Sequence, residues 1–303
     1  MDSQLVFVAL AGFCASLVDG ALGMGFGPTS STILLGTGLN PAAASTVVNL
    51  AKVATGLAGA VSHWRFGNID HQLVRRLAIP GACGALVGVT VLANVDGDSV
   101  RPLLAVLLLL VGLRILVRFS VWLPVTPRLA ESEADTGLPP YNERGIALGA
   151  AAGGVTNGLV GAWGPVVTPM LLHKGLPARF AIGSTNTAEV AVAVVASGSL
   201  LASIGGDGVE LPIVIAMLTG GVIAAPLAAF TVRHIPPRPL GVAVSALLLL
   251  TNTRELSGYF ELGAERWAIY AVAVAACVLA LFRPRLERRL RRRRSRRRAV
   301  RVP

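Results

Sequence analysis

The sequence predicts an all-α, polytopic membrane protein: two inverted repeats, each a re-entrant helical hairpin plus three transmembrane helices, with one extra C-terminal helix. Three observations lead there. The 303 residues are 53% hydrophobic and only 14% charged, with a mean hydropathy of +0.67, which sets the chain apart from ordinary soluble domains. The chain matches itself at an offset of 137 to 138 residues. Finally, basic loops place both ends of one apolar segment on the same side of the bilayer, which a single crossing cannot do.

Apolar stretches at 4–38, 41–62, 73–93, 102–117, 145–172, 179–203, 210–231, 239–251 and 267–282 mostly approach or exceed the length needed to span a membrane, roughly 20 residues. Lipid offers no partner for backbone polar groups, so each must be a helix or a piece of one. Nothing upstream of Leu5 is basic and no small-residue cleavage site follows, so the first segment is expected to be retained.

Asp19, Gly20 and Gly23 match Asn157, Gly158 and Gly161; one gap later, Gly27, Pro28, Gly38, Leu39, Asn49, Lys52, Asp70, Gly84, Arg101 and Pro102 match Gly164, Pro165, Gly175, Leu176, Asn186, Glu189, Asp207, Gly221, Arg238 and Pro239. The chain therefore divides into a first repeat at 1–118, a linker at 119–144 and a second repeat at 145–256. An extra helix at 257–282 and an arginine-rich tail at 283–303 complete it.

Arg65, Arg75 and Arg76 assign the loop after the second segment to the inside, and Arg118, Arg128 and Arg144 do the same for the linker. Lys174 with Arg179, and Arg233 with Arg238, mark two more inside loops, whereas "ANVDGDSV" and "GGDGVE" fit outside. The segment 145–172 thus starts and ends inside, turning at "NGLVGAWGP"; its counterpart at 5–39 starts and ends outside, turning at "DGALGMGFGP". Arms of about 12 to 15 residues reach past the midplane without crossing it. The N-terminus is then outside and the C-terminus cytoplasmic, with the loop 253–266 outside despite Arg254 and Arg266.

The net charge of +11 resides in the tail, where 283–301 holds twelve arginines and Glu287; the remainder is neutral. Such a tail is expected to rest on anionic head groups rather than to bind nucleic acid. Cys14, Cys83 and Cys277 stand alone in apolar segments and imply neither a disulfide framework nor a metal site.

Inverted repeats with broken helices place a substrate site near the midplane. Gly27 and Pro28 read as the start of a returning arm, followed by Thr29, Ser30, Ser31 and Thr32. Their hydroxyls and the free N–H groups of a first helical turn suit an anion; the alternative is a glycine-packed turn with hydroxyls bonded back to the helix. Ser45, Asn49, Lys52, Gly56, Gly59 and His63 recur at spacings of three and four, giving the next helix a small, polar face. Lys52 is near its middle, and its repeat mate Glu189 is near the middle of 179–203, with Ser184, Thr185, Asn186 and Thr187 alongside. Ionisable groups at that depth are functional candidates. In one reading Lys52 attracts an anion while Glu189 compensates its charge or carries a coupling proton; in the other the two form a structural ion pair.

Asn157 and Trp163 belong to the second tip, where Val166, Val167 and Pro169 leave fewer donors, so the anion is expected to lean toward the first tip. Asp19 is a carboxylate beside a proposed anion site and must be protonated, paired or solvent-facing. His63, at an inside edge, is a further candidate for proton handling. No cofactor is implied. The expected partners are a small anion and the bilayer, with a homodimer left open. HExxH, paired protease-type aspartates and nucleotide-binding motifs are missing, which disfavours an enzyme or an ATP-driven pump.

"GFCASLVDGALGMGFGPTSST", "ASTVVNLAKVATGLAGAVSHWRFGNID" and "GLVGAWGPVVTPMLLHKGLPARFAIGSTNT" resemble the sulfite exporter TauE/SafE family, also called the toluene sulfonate uptake permeases, across nearly the whole chain up to about Leu256. The resemblance implies a bacterial cytoplasmic-membrane transporter with roughly eight or more spanning segments, associated with sulfite, sulfonates and other small sulfur-containing anions. A passive anion channel of the same architecture, or transport of an unrelated small organic anion, is the alternative.

Overall fold

A computed structural model describes residues 2–22, 24–121, 141–205, 211–234 and 237–299. Among these residues eleven helices follow in order: α1 (Asp2–Leu22), α2 (Phe26–Gly36), α3 (Pro41–Arg65), α4 (His71–Asn94), α5 (Gly97–Val121), α6 (Ile146–Val160), α7 (Gly164–His173), α8 (Ala178–Ile204), α9 (Leu211–His234), α10 (Pro237–Tyr259) and α11 (Glu265–Ala299). Five are long and apolar enough to cross a membrane: α3, α4, α5, α8 and α11 over Glu265–Phe282. Shorter apolar stretches run along α1, α6 and α9. Large side chains such as Leu148, Ile79, Val272 and Leu110 face outward, as lipid contact requires.

Both apolar stretches expected to break do so. The first parts between Leu22 and Phe26, where Gly25 has a φ of 146°. The second parts at Gly161, left-handed at φ 65°, and Pro165 then falls in the first turn of α7. The arms are less equal than the expected 12 to 15 residues: α1 has 21 and α6 has 15, whereas the returning α2 and α7 have 11 and 10. The stretch expected as a loop over 253–266 is also shorter. α10 continues to Tyr259, because Asn252, Thr253 and Ser257, polar enough to lower the hydropathy there, are buried against the fold. Expectations for Glu131, Glu133, Asp135 and most of the linker lie outside the described residues, as does Asp207.

Packing between the halves is reciprocal. α1 packs on α9, and α6, its counterpart, packs on α4, the counterpart of α9; α3 meets α8, and α5 meets α10. Glycines bring the backbones together at these seams. Gly84 and Gly88 of α4 face Ala151 and Val155 of α6, while Gly154 and Gly158 of α6 face Gly81 and Ala85 of α4. Each is a small-xxx-small pair, the pattern that lets helices in lipid gain dispersion energy by close approach. On the other side Gly12 abuts Met217 and Gly220 abuts Ala9.

A polar corner joins the end of the linker to two helices. Asp70 caps α4 by accepting from the N–H groups of Gln72 and Leu73 at 2.9 and 3.1 Å, and its own N–H donates to Ser184 Oγ at 3.0 Å. Tyr141 donates its hydroxyl to the other carboxylate oxygen of Asp70 at 3.2 Å. Burial and then the Asp70 carboxylate disfavour the phenolate, so the Tyr141 pKa is pushed up to about 12. The neutral phenol is the form the fold holds, so this bond's contribution is complete below about pH 10, the usual tyrosine value, and is lost as pH rises toward 12. Phenolate absorbance compared between the protein and Tyr141→Phe is expected to assign a titration near 12 to this residue. Asp70→Asn should shift it back toward 10; an unchanged titration would remove the carboxylate as a cause.

Candidate functional site

The two helix breaks meet. A Cβ on Gly27, in the first turn of α2, would overlap the carbonyl oxygen of Gly161, and one on Gly161 would press on Val48 of α3. At this crossing α6 ends; Asn157 O still accepts from the Gly161 N–H at 2.8 Å, and the carbonyls after it have no further helical N–H to bond. Side chains from the first half supply donors. Ser45 Oγ donates to Gly158 O at 2.7 Å, Ser31 Oγ to Val160 O at 2.8 Å, Lys52 Nζ to Gly161 O at 2.6 Å, and Asn49 Nδ2 reaches Asn157 O at 3.4 Å. A cation at a helix C-terminus is also favoured by the helix dipole.

Asn49 and Asn157 bond to each other side by side: Asn157 Nδ2 donates to Asn49 Oδ1 at 2.7 Å, while Asn49 Nδ2 donates back to Ser45 O at 2.9 Å. Lys52 is 7% exposed. Its ammonium has three acceptors: Gly161 O, Asn157 Oδ1 at 3.3 Å, and Glu189 Oε1, with which it forms an ion pair. Three N–H bonds exhaust what an ammonium can donate. Of the two readings of these repeat mates, the ion pair is the contact present, and in this arrangement Lys52 has no proton left for another ligand.

Asp19 has a definite partner. Its Oδ1 accepts from the N–H of Phe26 at 3.2 Å, capping α2 from across the break, and it lies within electrostatic range of both Lys52 and Glu189. When all three are ionised, the cluster of Asp19, Lys52 and Glu189 carries one net negative charge.

The unused donors are hydroxyls. The hydroxyls of Thr29 and Ser30, the fourth and fifth residues of α2, are buried with no hydrogen-bond partner, as are those of Thr168 of α7 and Thr185 of α8. A buried unpaired hydroxyl costs about 1–3 kcal/mol; Ser16 of α1 and Ser257 of α10 share this condition with Thr29 and Ser30. Ser31, grouped with them in the sequence, is instead occupied by Val160 O. Thr32 accepts from Asn252 Nδ2 at 3.1 Å, tying α2 to α10.

Trp163 is fully buried; its ring fills the space left by Gly81 and Gly153, and its Nε1 donates to Thr185 O at 3.0 Å. Its position is that of a packing element that fixes α8 against the second tip. Asn186 is half-buried on α8, three residues before Glu189. His63 stands eleven residues beyond Lys52 on α3, about 16 Å along the axis; it shares a helix face with the cluster but not its depth. Two residues that the motifs do not include are Arg114 and Arg118, one turn apart on α5, the second within 3.5 Å of Met24 Sδ in the first break. Arg114 sits inside a leucine-rich run of α5 and is exposed.

A family model described as sulfite exporter TauE/SafE matches residues 8–254. The chain is 40% identical over 254 residues to the probable membrane transporter protein YtnM of Bacillus subtilis (strain 168), covering 84% of this chain and 83% of that protein. It is 24% identical over 260 residues to the probable membrane transporter protein YjnA of the same organism, covering 82% and 98%. No solved structure matches.

Proposed function

This chain belongs to the sulfite exporter TauE/SafE family of membrane transporters, and from that premise we propose that it is a secondary transporter of a small sulfur-containing oxyanion, such as sulfite or an organosulfonate, across the cytoplasmic membrane. The observation that carries the reading is the state of Lys52: a buried ammonium whose three donors are taken by Glu189, Asn157 and Gly161. With Asp19 and Glu189 both ionised, the cluster repels anions. Protonating Glu189 makes the cluster neutral and loosens its bond to Lys52, whose ammonium can then turn to an anion. Anion and proton then occupy the centre together, which is what ion-gradient coupling requires.

The same reading takes the two halves as inverted repeats with the breaks as tips of re-entrant hairpins, an arrangement in which the centre is near the midplane and reachable from either side by turns. The reciprocal pairing of α1 with α9 and of α6 with α4 is what such a relation produces. In the same reading the N-terminus is outside and the arginine-rich end is cytoplasmic. With the native cysteines removed, Thr37→Cys should react with an impermeant thiol reagent from outside and Lys174→Cys from inside; labelling of both from one side would refute the inverted hairpins.

Counterflow of labelled sulfite, thiosulfate, sulfate and a small sulfonate into proteoliposomes at two pH values tests the transport reading. Exchange of at least one sulfur oxyanion, faster at the lower pH, is the expected result. Movement of none of the four would remove it, and exchange indifferent to pH would favour a passive anion channel.

A further inference from the structure

Among the described residues, most buried or capping cations have identifiable acceptors. Lys52 has Glu189 and Gly161 O; Arg101 bonds to Gly38 O at 3.2 Å and approaches Asp98 at 3.6 Å; Arg238 bonds to Phe119 O and Ser120 O at 2.7 and 2.6 Å. Among the same residues, Arg114 and Arg118 have neither a carboxylate nor a carbonyl. They lie four residues apart on one edge of α5, a like-charged pair at a spacing that repels, inside a helix long and apolar enough to cross the membrane.

The edge they occupy is informative. Gly112 and Leu116 of α5 pack on Leu248, Leu249 and Val242 of α10, so the arginines are on a different arc. Arg118 is half-buried there, its Nη1 against Met24 Sδ immediately before Gly25 in the first helix break, and Arg114, one turn earlier, is exposed. Among the described residues, Arg118 therefore has the Phe119 ring, 5.8 Å from its guanidinium carbon, and Met24 Sδ as neighbours, and neither arginine faces an acid. Arg118 is in the last turn of α5, at the end assigned to the inside, and Arg114 is one turn deeper; guanidinium forks at such a membrane edge match the paired oxygens of an oxyanion.

We propose that Arg114 and Arg118 together hold an oxyanion beside Met24, a waypoint for the transported anion between the α5 C-terminal side and the hydroxyls of Thr29 and Ser30. This inference rests on the transport reading above. The same chemistry could come from a lipid phosphate at that depth, and the test separates the two.

Counterflow of sulfite and thiosulfate is measured for the unmodified protein, Arg114→Gln, Arg118→Gln and the double variant. The assay is run in vesicles of phosphatidylcholine alone and in vesicles containing phosphatidylglycerol. If the unmodified protein moves neither anion, the transport reading itself has failed, before any variant is compared. Given transport, each substitution is expected to raise the half-saturating anion concentration by about tenfold, the loss of one charge-assisted hydrogen bond. The double variant should exceed either, and the penalty should be equal in both lipids. Arg118→Lys, which keeps the charge but not the fork, should lose less than Arg118→Gln and also serves if the latter folds poorly. An unchanged half-saturation in a normally folded double variant overturns the proposal. So does a penalty confined to phosphatidylglycerol vesicles, because a lipid phosphate is then the occupant.

Discussion

Lys52→Gln is expected to abolish anion flux and to lower the yield of folded protein, whereas Lys52→Gln combined with Glu189→Gln should recover much of the fold and none of the flux. The single substitution leaves Glu189 and Asp19 as two carboxylates in a buried site with no cation, and breaking a buried pair from one side costs about 3–5 kcal/mol. The double substitution removes a charge of each sign and leaves Asp19 as the one carboxylate, held by the Phe26 N–H. Folded yield by size exclusion in detergent and counterflow in proteoliposomes give the two readings separately. If the double variant transports normally, the ion pair is structural and Lys52 has no part in handling an anion.

Gly27→Ala should be among the most damaging single-methyl changes in the chain. Its Cβ would enter the Gly161 carbonyl, which is backbone on both sides of the contact and which Lys52 also bonds. Neither tip can retreat without breaking that bond or the nearby bond from Ser31 Oγ to Val160 O. A destabilisation at the upper end of the about 1–3 kcal/mol typical of overpacking is expected. Gly59→Ala is the control: Gly59 is half-buried in the interior of α3, with nothing within 4 Å of its added methyl, and alanine there favours the helix by up to about 1 kcal/mol. Thermal unfolding in detergent should separate the two clearly; equal midpoints would mean that the tips do not touch.

Much of this centre is legible in the sequence because the repeat marks it. Lys52 and Glu189 are mates at the offset of 137, and a lysine and a glutamate at equal depth in two apolar segments are each other's natural partners, since neither is stable there alone. The breaks are equally plain, since glycine and proline interrupt hydropathy that would otherwise continue. Donor direction is a different matter. Ser31, Ser45 and Asn49 read as open hydroxyls and amide facing a ligand, yet each bonds to the carbonyl end of α6, more than a hundred residues away. Nothing local in the sequence says that α6 ends there with its carbonyls exposed.

Asp19 illustrates the same point from the other side. It lies seven residues before the N–H it accepts, a spacing that only a break with an unusual Gly25 backbone allows, so no familiar capping pattern announces it. For His63 the difficulty is the opposite one, because helical periodicity reports the face of a residue and says nothing of its depth. The extension of α10 to Tyr259 was hidden by its own polarity: Asn252, Thr253 and Ser257 lower the hydropathy of a helix that is buried.

In the proposed mechanism, one carboxylate beside Lys52 must take up a proton before an anion can enter. Anion uptake into proteoliposomes under an imposed pH gradient, with the internal pH followed by a trapped dye, tests this most directly for the unmodified protein and for Glu189→Gln. In the unmodified protein, sulfite or thiosulfate flux should be driven by the gradient and should carry protons with it. In Glu189→Gln, counterflow should persist while the dependence on the gradient falls away. Flux through the unmodified protein that ignores the pH gradient and moves no protons would contradict the proposed coupling.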